Sequence, residues 1–376
     1  MIALAALLPV AVWLYLLAAR GMFWMMQERD DREQPPAPAV WPSVVAIVPA
    51  RNEADVIAQT LASLLAQDYP GSFRVVLVDD QSNDGTAEVA REISSTDHVT
   101  LVSGAPRPAG WTGKLWAVRQ GINAAGTPDY LWLTDADIAH APDNLSRLVA
   151  RAEANKLVLT SLMAKLHCQS WYERYLIPAF VFFFAMLYPF RWVNRPKWKT
   201  AAAAGGCMLV RREALERAGN IDTIRSDIID DCALAHVLKT QGPIWLGLTE
   251  RATSVRPYRG MADIRAMIAR SAFAQLGYSS LALAGTVVGI IVVYAAPPLF
   301  ALLGHNSAQA SGILAWAAMA FAFQPILNFY RLSPLWGFAL PLIGAIYAVF
   351  TFDSALQHWR GRGGMWKGRA QAMGRT

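Results

Sequence analysis

The chain has 376 residues, of which 54% are hydrophobic and only 16% charged, against roughly 45–50% and about 25% in ordinary soluble domains, which excludes a disordered chain and points to bilayer-buried segments. Three cysteines (Cys168, Cys207, Cys232), none in a Cys-x-x-Cys pair, exclude a disulfide framework and give no zinc or redox signature. The formal net charge of +6 is a modest basic excess that nucleic acid, anionic lipid or a phosphate-bearing substrate would each explain.

Residues 2–19 are uncharged and apolar, and ~20 residues at 1.5 Å each cross a ~30 Å hydrocarbon layer, so a membrane anchor over 1–20 is expected. A cleaved signal peptide is the rival reading. Ala18 and Ala19 suit a cleavage site, but the basic n-region is missing. Residues 21–40 carry mixed charges and then Gln34-Pro35-Pro36-Ala37-Pro38, the composition of a linker. Arg20, Arg29 and Arg32 follow the first apolar stretch and no basic residue precedes it, which places residues 20–270 in the cytoplasm.

From about residue 41 the pattern alternates. Val44–Val48, Val75–Val78, Tyr130–Leu133 and Leu157–Leu162 read as buried strands, Glu53–Gln67 and Thr86–Ile93 as amphipathic helices. The fold class expected is therefore α/β, a mostly parallel sheet with helices on both faces, whose ligands sit at the carboxyl ends of strands. The first strand runs into Pro49-Ala50-Arg51-Asn52-Glu53 and the second into Asp79-Asp80-Gln81-Ser82-Asn83-Asp84-Gly85-Thr86. Capping and turn chemistry accounts for Asp84 and Thr86. Two adjacent carboxylates, Asp79 and Asp80, exceed what one cap requires, so at least one is expected to accept hydrogen bonds from a ligand.

Gly113-Lys114 opens an amphipathic run, Leu115 to Ala125, and offers a cation and a helix N-terminus to a phosphate. It is not a Walker A loop, and no Gly-x-Gly-x-x-Gly occurs in the chain. The apolar strand Leu131-Trp132-Leu133 leads to Thr134-Asp135-Ala136-Asp137. In an extended chain the Asp135 and Asp137 side chains point the same way, and hard Mg²⁺ or Mn²⁺ bridges such carboxylates to substrate phosphates. A turn would explain Asp-x-Asp as well.

Residues 176–190, fifteen apolar positions with two prolines, are followed by Arg191, Trp192, Arg195, Lys197, Trp198 and Lys199. A membrane-interface segment over 176–199 and a buried core helix both fit. Gly205-Gly206 permits close approach of a substrate, or simply makes a turn before the next helix. Asp230-Asp231 opens a helix-like run; the helix dipole accounts for one of them, and the apolar flanks Ile228-Ile229 and Cys232-Ala233 suit a general base. The six histidines show no ligand spacing and receive no role. From Ser271 to Phe352 the only charged residue is Arg331, giving candidate spans 281–303, 311–330 and 334–352 within a membrane region 276–356, then a basic tail over 357–376 with Arg360, Arg362, Lys367, Arg369 and Arg375. Three such spans would put that tail outside, against the positive-inside rule, so one stretch re-entering the membrane stays open.

The ordered set resembles inverting family 2 glycosyltransferases of the GT-A fold, over roughly residues 40–275. The resemblance rests on Pro49 to Glu53, Asp79 to Thr86, Gly113-Lys114, Asp135-x-Asp137 and Asp230-Asp231 with Leu234. The anchor, the hydrophobic C-terminus and the wording VPARNEADVI, GWTGKLWAV and SDIIDDCALAHVLK look most like hopene-associated members of the ceramide-glucosyltransferase-like branch. The resemblance implies a nucleotide pocket at Pro49, Ala50, Arg51, Glu53, Asp79 and Asp80, with Lys114 near the diphosphate and Asp135, of the metal-holding Asp-x-Asp, binding the donor. It implies Mg²⁺ or Mn²⁺ on Asp137, a base at Asp231 beside Asp230, and an acceptor side at Gly205, Gly206, Arg270 and Gln275. Implied partners are a nucleoside-diphosphate sugar of UDP type, a lipid acceptor and the bilayer of a bacterial-type inner membrane, without nucleic acid. One departure is that Arg270-Ser-Ala-Phe-Ala-Gln275 stands where many relatives carry Gln/Arg-x-x-Arg-Trp, which weakens a polymerase reading. A polyprenyl-phosphate glycosyltransferase and a nucleotide-binding membrane scaffold or transporter subunit remain as rival readings.

Overall fold

The computed structural model describes residues 2–93, 98–366 and 369–370, so Lys367 and Arg375 of the basic tail lie outside the described residues. The chain divides into two compact units. One comprises Glu28–His167, Trp192–Pro257 and Met365–Thr376; the other comprises Met1–Gln27, Cys168–Arg191 and Tyr258–Gly364. The range 41–275 read as one α/β domain thus includes two stretches, 168–191 and 258–275, that belong to the other unit.

In the first unit, β1 (Val44–Ala50), β2 (Phe73–Asp79), β3 (Val99–Ser103), β4 (Tyr130–Leu133), β5 (Ile138–His140), β6 (Leu159–Lys165), β7 (Met208–Arg211) and β8 (Ile244–Ser254) form one sheet. Its order is β3-β2-β1-β4-β7-β6-β8-β5. All seven residues of β1 are buried, as a strand covered on both faces requires. The helix Ile57–Leu65 supplies part of that cover through Ile57, Leu61 and Leu64, a stripe at i, i+4 and i+7. Each such side chain is worth about 1.5–3 kcal/mol when fully buried.

The sheet is mixed, whereas strand–helix alternation predicts a mostly parallel one. Strands β3, β2, β1 and β4 are parallel, but β7 runs antiparallel to both β4 and β6, and β5 antiparallel to β8. The connection from β6 to β7 passes through residues of the other unit rather than through a crossover helix in this one, so a parallel direction is not imposed. Strand β1 has β2 on one side and β4 on the other, and the connections leave on opposite sides, which opens a crevice at the carboxyl ends of these strands. The residues read as a linker are partly built into this unit. Leu248 of β8 donates to Glu28 O (2.9 Å) and accepts from Asp30 N (3.1 Å), and buried Asp30 accepts from Thr249 Oγ1 at 2.6 Å.

The second unit is helical: Ile2–Ala18, Trp171–Leu187, Met261–Gln275, Ser280–Ile290 continuing through a π turn into Ala296–Leu303, Asn306–Phe329 and Leu340–Trp359. Four stretches are long and apolar enough to cross a membrane: Trp171–Val193, Ser280–Leu303, Asn306–Phe329 and Pro334–Trp359; Leu4–Ala18 is apolar but shorter. Leu281 and Leu303 are 83% and 73% exposed, a costly arrangement in water and the expected one in lipid. Helical backbone in hydrocarbon must be satisfied internally. Pro297 lacks the N–H that would bond Val293 O, and Trp13 Nε1 supplies that bond instead at 2.9 Å. Arg20 likewise caps the Trp171–Leu187 helix by donating to Met186 O (3.0 Å) and Leu187 O (3.1 Å).

The segment around 176–190 is longer than its apolar run because a capping box at Ser170 and Glu173 starts the helix at Trp171. β6 before it and β7 after it are hydrogen-bonded neighbours in one sheet.

Candidate active site

The loops after β1 and β2 are stitched together by side chains that the motifs supply. Asn52 N–H donates to Ser82 Oγ (3.0 Å), Asn83 N–H to Asn52 Oδ1 (3.0 Å), Glu53 N–H to Thr86 Oγ1 (2.8 Å) and Ala54 N–H to Asp84 Oδ2 (3.1 Å). Asn52 and Gln81 adopt left-handed φ of 51° and 55°, strain that side-chain hydrogen bonds of this kind can hold. This delays the first helix to Ile57, four residues after the predicted start.

Asp79 and Asp80 divide their work. Asp80 is fully buried and pairs with Arg51, whose guanidinium lies 3.7 Å from its carboxylate and also donates to the Asp80 and Gln81 carbonyls. Asp79 is half-buried, accepting from Ser82 N–H at 3.3 Å, and is the carboxylate a ligand can reach. Pro49 and Ala50 are buried in β1; the Ala50 carbonyl accepts from Asp80 N–H.

The Asp-x-Asp segment is a turn between β4 and β5, not extended chain. Its two carboxylates therefore stand on different cations, contrary to the parallel aim expected of an i, i+2 pair. Asp135 accepts from Lys114 Nζ at 2.8 Å, and the same ammonium lies 3.1 Å from Asp230 Oδ2. Asp137 lies 3.5 Å from Arg256, which also pairs with Glu53 and, at 2.9 Å, with Asp55. Each cation faces three carboxylates once Asp231 is counted with Lys114. Arg256 was not picked out from the sequence, although it follows β8 directly and obeys the same strand-end rule as the others.

Asp231 begins the helix Asp230–Lys239 and is half-buried. Its Oδ2 accepts Gly205 N–H (3.0 Å) and its Oδ1 accepts Cys232 N–H (2.7 Å). Burial pushes its carboxyl up to about 6, with the Asp230 charge adding to the rise and Lys114 opposing it. Burial alone would lower the Lys114 ammonium, but Asp135 and Asp230 hold it above its ordinary range. A Cβ on Gly205 would stand 3.1 Å from Lys114 Nζ, so only glycine lets this backbone pass the charged cluster without displacement.

Below the cluster, His140 ties the turn down. Asn144 Nδ2 donates to its Nδ1 (3.0 Å), so Nε2 carries the proton and donates to Thr134 Oγ1 (2.9 Å), which in turn donates to Gly206 O (2.9 Å). Burial pushes this imidazole down to about 3, so it stays neutral. Periodicity and spacing carry no signal for such a role. Arg270 and Gln275 belong to the other unit, Arg270 exposed and Gln275 accepting from Tyr188 Oη at 2.8 Å.

Residues 45–219 match the family model described as Glycosyl transferase family 2. They are a glycosyl transferase family 2 domain. The chain is 28% identical over 145 residues to an N-acetylglucosaminyltransferase of Mesorhizobium japonicum, covering 37% of this chain and 33% of that one. It is 34% identical over 122 residues to a 4,4'-diaponeurosporenoate glycosyltransferase of Staphylococcus haemolyticus, covering 31% of each. The chain thus spans about a third of the length of these curated relatives. In fold it is similar to the mannosyltransferase PcManGT from Pyrobaculum calidifontis, solved with GDP-Man and Mn²⁺, at a TM-score of 0.57 and 21% identity over 95% of this chain and 99% of that one. The fold of the family 2 domain is thereby the GT-A α/β fold, with a mixed sheet.

Among the described residues, no three His, Cys, Asp or Glu side chains converge as a ready-made metal cage. The donor set suits a different mode. Asp137 and Asp135 are partly exposed oxygen donors, the chemistry by which hard divalent ions are held through one or two carboxylates and the phosphates of a substrate.

Proposed function

We propose that this chain is an inverting membrane-bound glycosyltransferase that moves a sugar from a nucleoside-diphosphate sugar, of UDP type, to a hydroxyl of a lipid, with a hopanoid or another isoprenoid as the acceptor class. The observation that carries the reading is the Asp231 carboxylate, which opens its helix next to the Lys114–Asp230 ion pair and is aimed by the Gly205 N–H, twelve residues beyond the stretch that matches the family 2 model. Asp79 receives the base, Lys114 faces the diphosphate, and Asp231 takes the proton of the acceptor hydroxyl. The acceptor oxygen then bonds to the anomeric carbon as the bond to the diphosphate oxygen breaks, and one displacement inverts that carbon. Asp137 would hold a divalent ion, Mg²⁺ or Mn²⁺, which would supply positive charge for the departing diphosphate. Such charge is needed because three carboxylates face each of the two cations.

The lipid acceptor is supported by the four helices apolar enough to enter a bilayer. With the Arg20, Arg29 and Arg32 asymmetry, they fit an inner-membrane protein whose family 2 domain faces the cytoplasm. Incubating the purified chain with labelled sugar nucleotides and a hopanoid-containing lipid extract tests the reading. Sugar in the organic phase is the expected result, and label released only as free sugar across the panel would contradict a lipid acceptor.

A further inference from the structure

Within the sheet-bearing unit a cavity of about 10 Å³ lies between the helix Asn144–Ala154, β6 and the segment that precedes β1. That is close to the space one water molecule needs, roughly 10–15 Å³, and too small for an organic ligand. Pro35, Leu148 and Leu162 give it an apolar wall, and Asp30, Asn144 and Arg147 bring polar side chains to it.

Each of these three has one polar atom left over. Asp30 is 6% exposed; its Oδ2 accepts from Thr249 Oγ1 (2.6 Å) and Arg251 Nη1 (3.4 Å), and its Oδ1 from neither. Asn144 is fully buried and directs Nδ2 to His140 Nδ1 (3.0 Å), which leaves Oδ1. Arg147 donates from Nη2 to the Asp30 carbonyl (3.1 Å), which leaves Nε. Among the described residues, Asp30 Oδ1, Asn144 Oδ1 and Arg147 Nε find no hydrogen-bond partner although all three atoms are buried. Such groups carry their full desolvation penalty unless something in the cavity meets them. Arg151, which also lines the cavity, already donates to Glu33 O at 3.2 Å.

The left-over set is two acceptors and one donor, and a water with two O–H groups and its lone pairs is the complement. A cation would face the Arg147 Nε–H and an anion the Asp30 carboxylate, so neither fits. We propose that one buried water occupies this cavity, donating to Asp30 Oδ1 and Asn144 Oδ1 and accepting from Arg147 Nε–H.

The water fixes which way the Asn144 amide faces. Among the described lining side chains its second hydrogen meets no other unpartnered acceptor than Asn144 Oδ1, and with Oδ1 toward the water, Nδ2 is turned to His140. From His140 the chain of bonds runs through Nε2–H to Thr134 Oγ1 (2.9 Å) and on to Gly206 O (2.9 Å). Thr134 precedes Asp135, and Gly206 follows the glycine whose N–H aims Asp231. Asp30 is thus a positioning residue that acts on the floor of the crevice through the water, Asn144 and His140. The inference is independent of which sugar or acceptor the chain uses.

A structure of the full chain at a resolution that shows ordered waters tests the site directly. One water about 2.7–3.2 Å from each of the three atoms is expected; an empty cavity, or the three side chains closed on one another, would overturn the site. The coupling is read by nuclear magnetic resonance of the full chain in detergent, with ¹⁵N in the histidine rings. At about pH 5, below the ordinary imidazole value near 6.5, His140 is identified as a ring that stays neutral, because burial pushes it down to about 3. Wild type should show the Nε2–H tautomer alone, and Asp30→Leu, which removes an acceptor from the water, should show both tautomers. Thr249→Val loosens Asp30 on its Oδ2 side, away from the cavity, and should keep the wild-type pattern. If Asp30→Leu fails to fold, Arg147→Met takes its place by removing the donor to the water, and it should show the second tautomer in smaller share. A single Nε2–H tautomer in the folded variant, or an equal change in Thr249→Val, would overturn the positioning role.

Discussion

Asp231 Oδ2 accepts the Gly205 backbone N–H at 3.0 Å, which ties the first turn of the Asp230–Lys239 helix to the loop leading into β7. The bond fixes the direction of the carboxylate while each oxygen keeps a lone pair for a proton. Its energetic surroundings set the pH behaviour.

The Asp231 carboxyl, raised to about 6, acts as a base only when ionised. Turnover should therefore rise with pH through about 6 and level off above it. Stability should move the other way: between the ordinary carboxylate value near 4 and about 6 the folded chain holds this proton more tightly than the unfolded one, so stability is lost as pH rises through that window. Thermal unfolding of wild type and Asp231→Asn at both ends of the window checks the sign, and the variant should gain on wild type at the upper end only.

Lys114→Met should leave Asp135 and Asp230 facing each other without their shared ammonium. The expected loss is about 1–3 kcal/mol, below that of a fully buried pair because the side chains keep 18–35% exposure. Donor affinity should fall as well. Calorimetric titration with UDP-sugars, beside thermal unfolding, separates the two effects.

Much of the crevice is legible in the sequence because polar residues directly after buried strands must lie at strand ends; Asp79, Asp80 and Asp135 follow from that rule alone. Tyr130–Leu133 and Thr86–Ile93 coincide with their predicted bounds because burial and amphipathicity there are unambiguous. The antiparallel β7 was not legible, since direction in a sheet depends on where a connection travels. Nor were the roles of His140, buried beside Trp132, and Arg256, which meets Glu53 and Asp55 some two hundred residues away. Such contacts exist only after folding.

Metal dependence gives a third test. Donor binding should need Mn²⁺ or Mg²⁺, and Asp137→Ala should remove that dependence together with most of the affinity. Arg256→Gln, which loosens the orientation of Asp137, should cost roughly tenfold in metal-dependent affinity, as loss of an outer partner typically does. Titration with and without chelator decides, and equal affinity in both conditions would sink the metal assignment.

The most direct test of the whole account is single-turnover transfer by Asp231→Asn, measured beside its donor affinity. The substitution keeps the shape and, with its amide oxygen toward Gly205, that hydrogen bond; it gives up the one from Cys232 N–H and removes proton acceptance, a step that typically contributes 10²–10⁴-fold. A rate loss of that order with donor affinity retained is expected, and a smaller loss for Asp230→Asn. If both residues only begin a helix, either change should cost about 1 kcal/mol of stability and leave turnover near normal. An Asp231→Asn protein with near-normal turnover would contradict the mechanism.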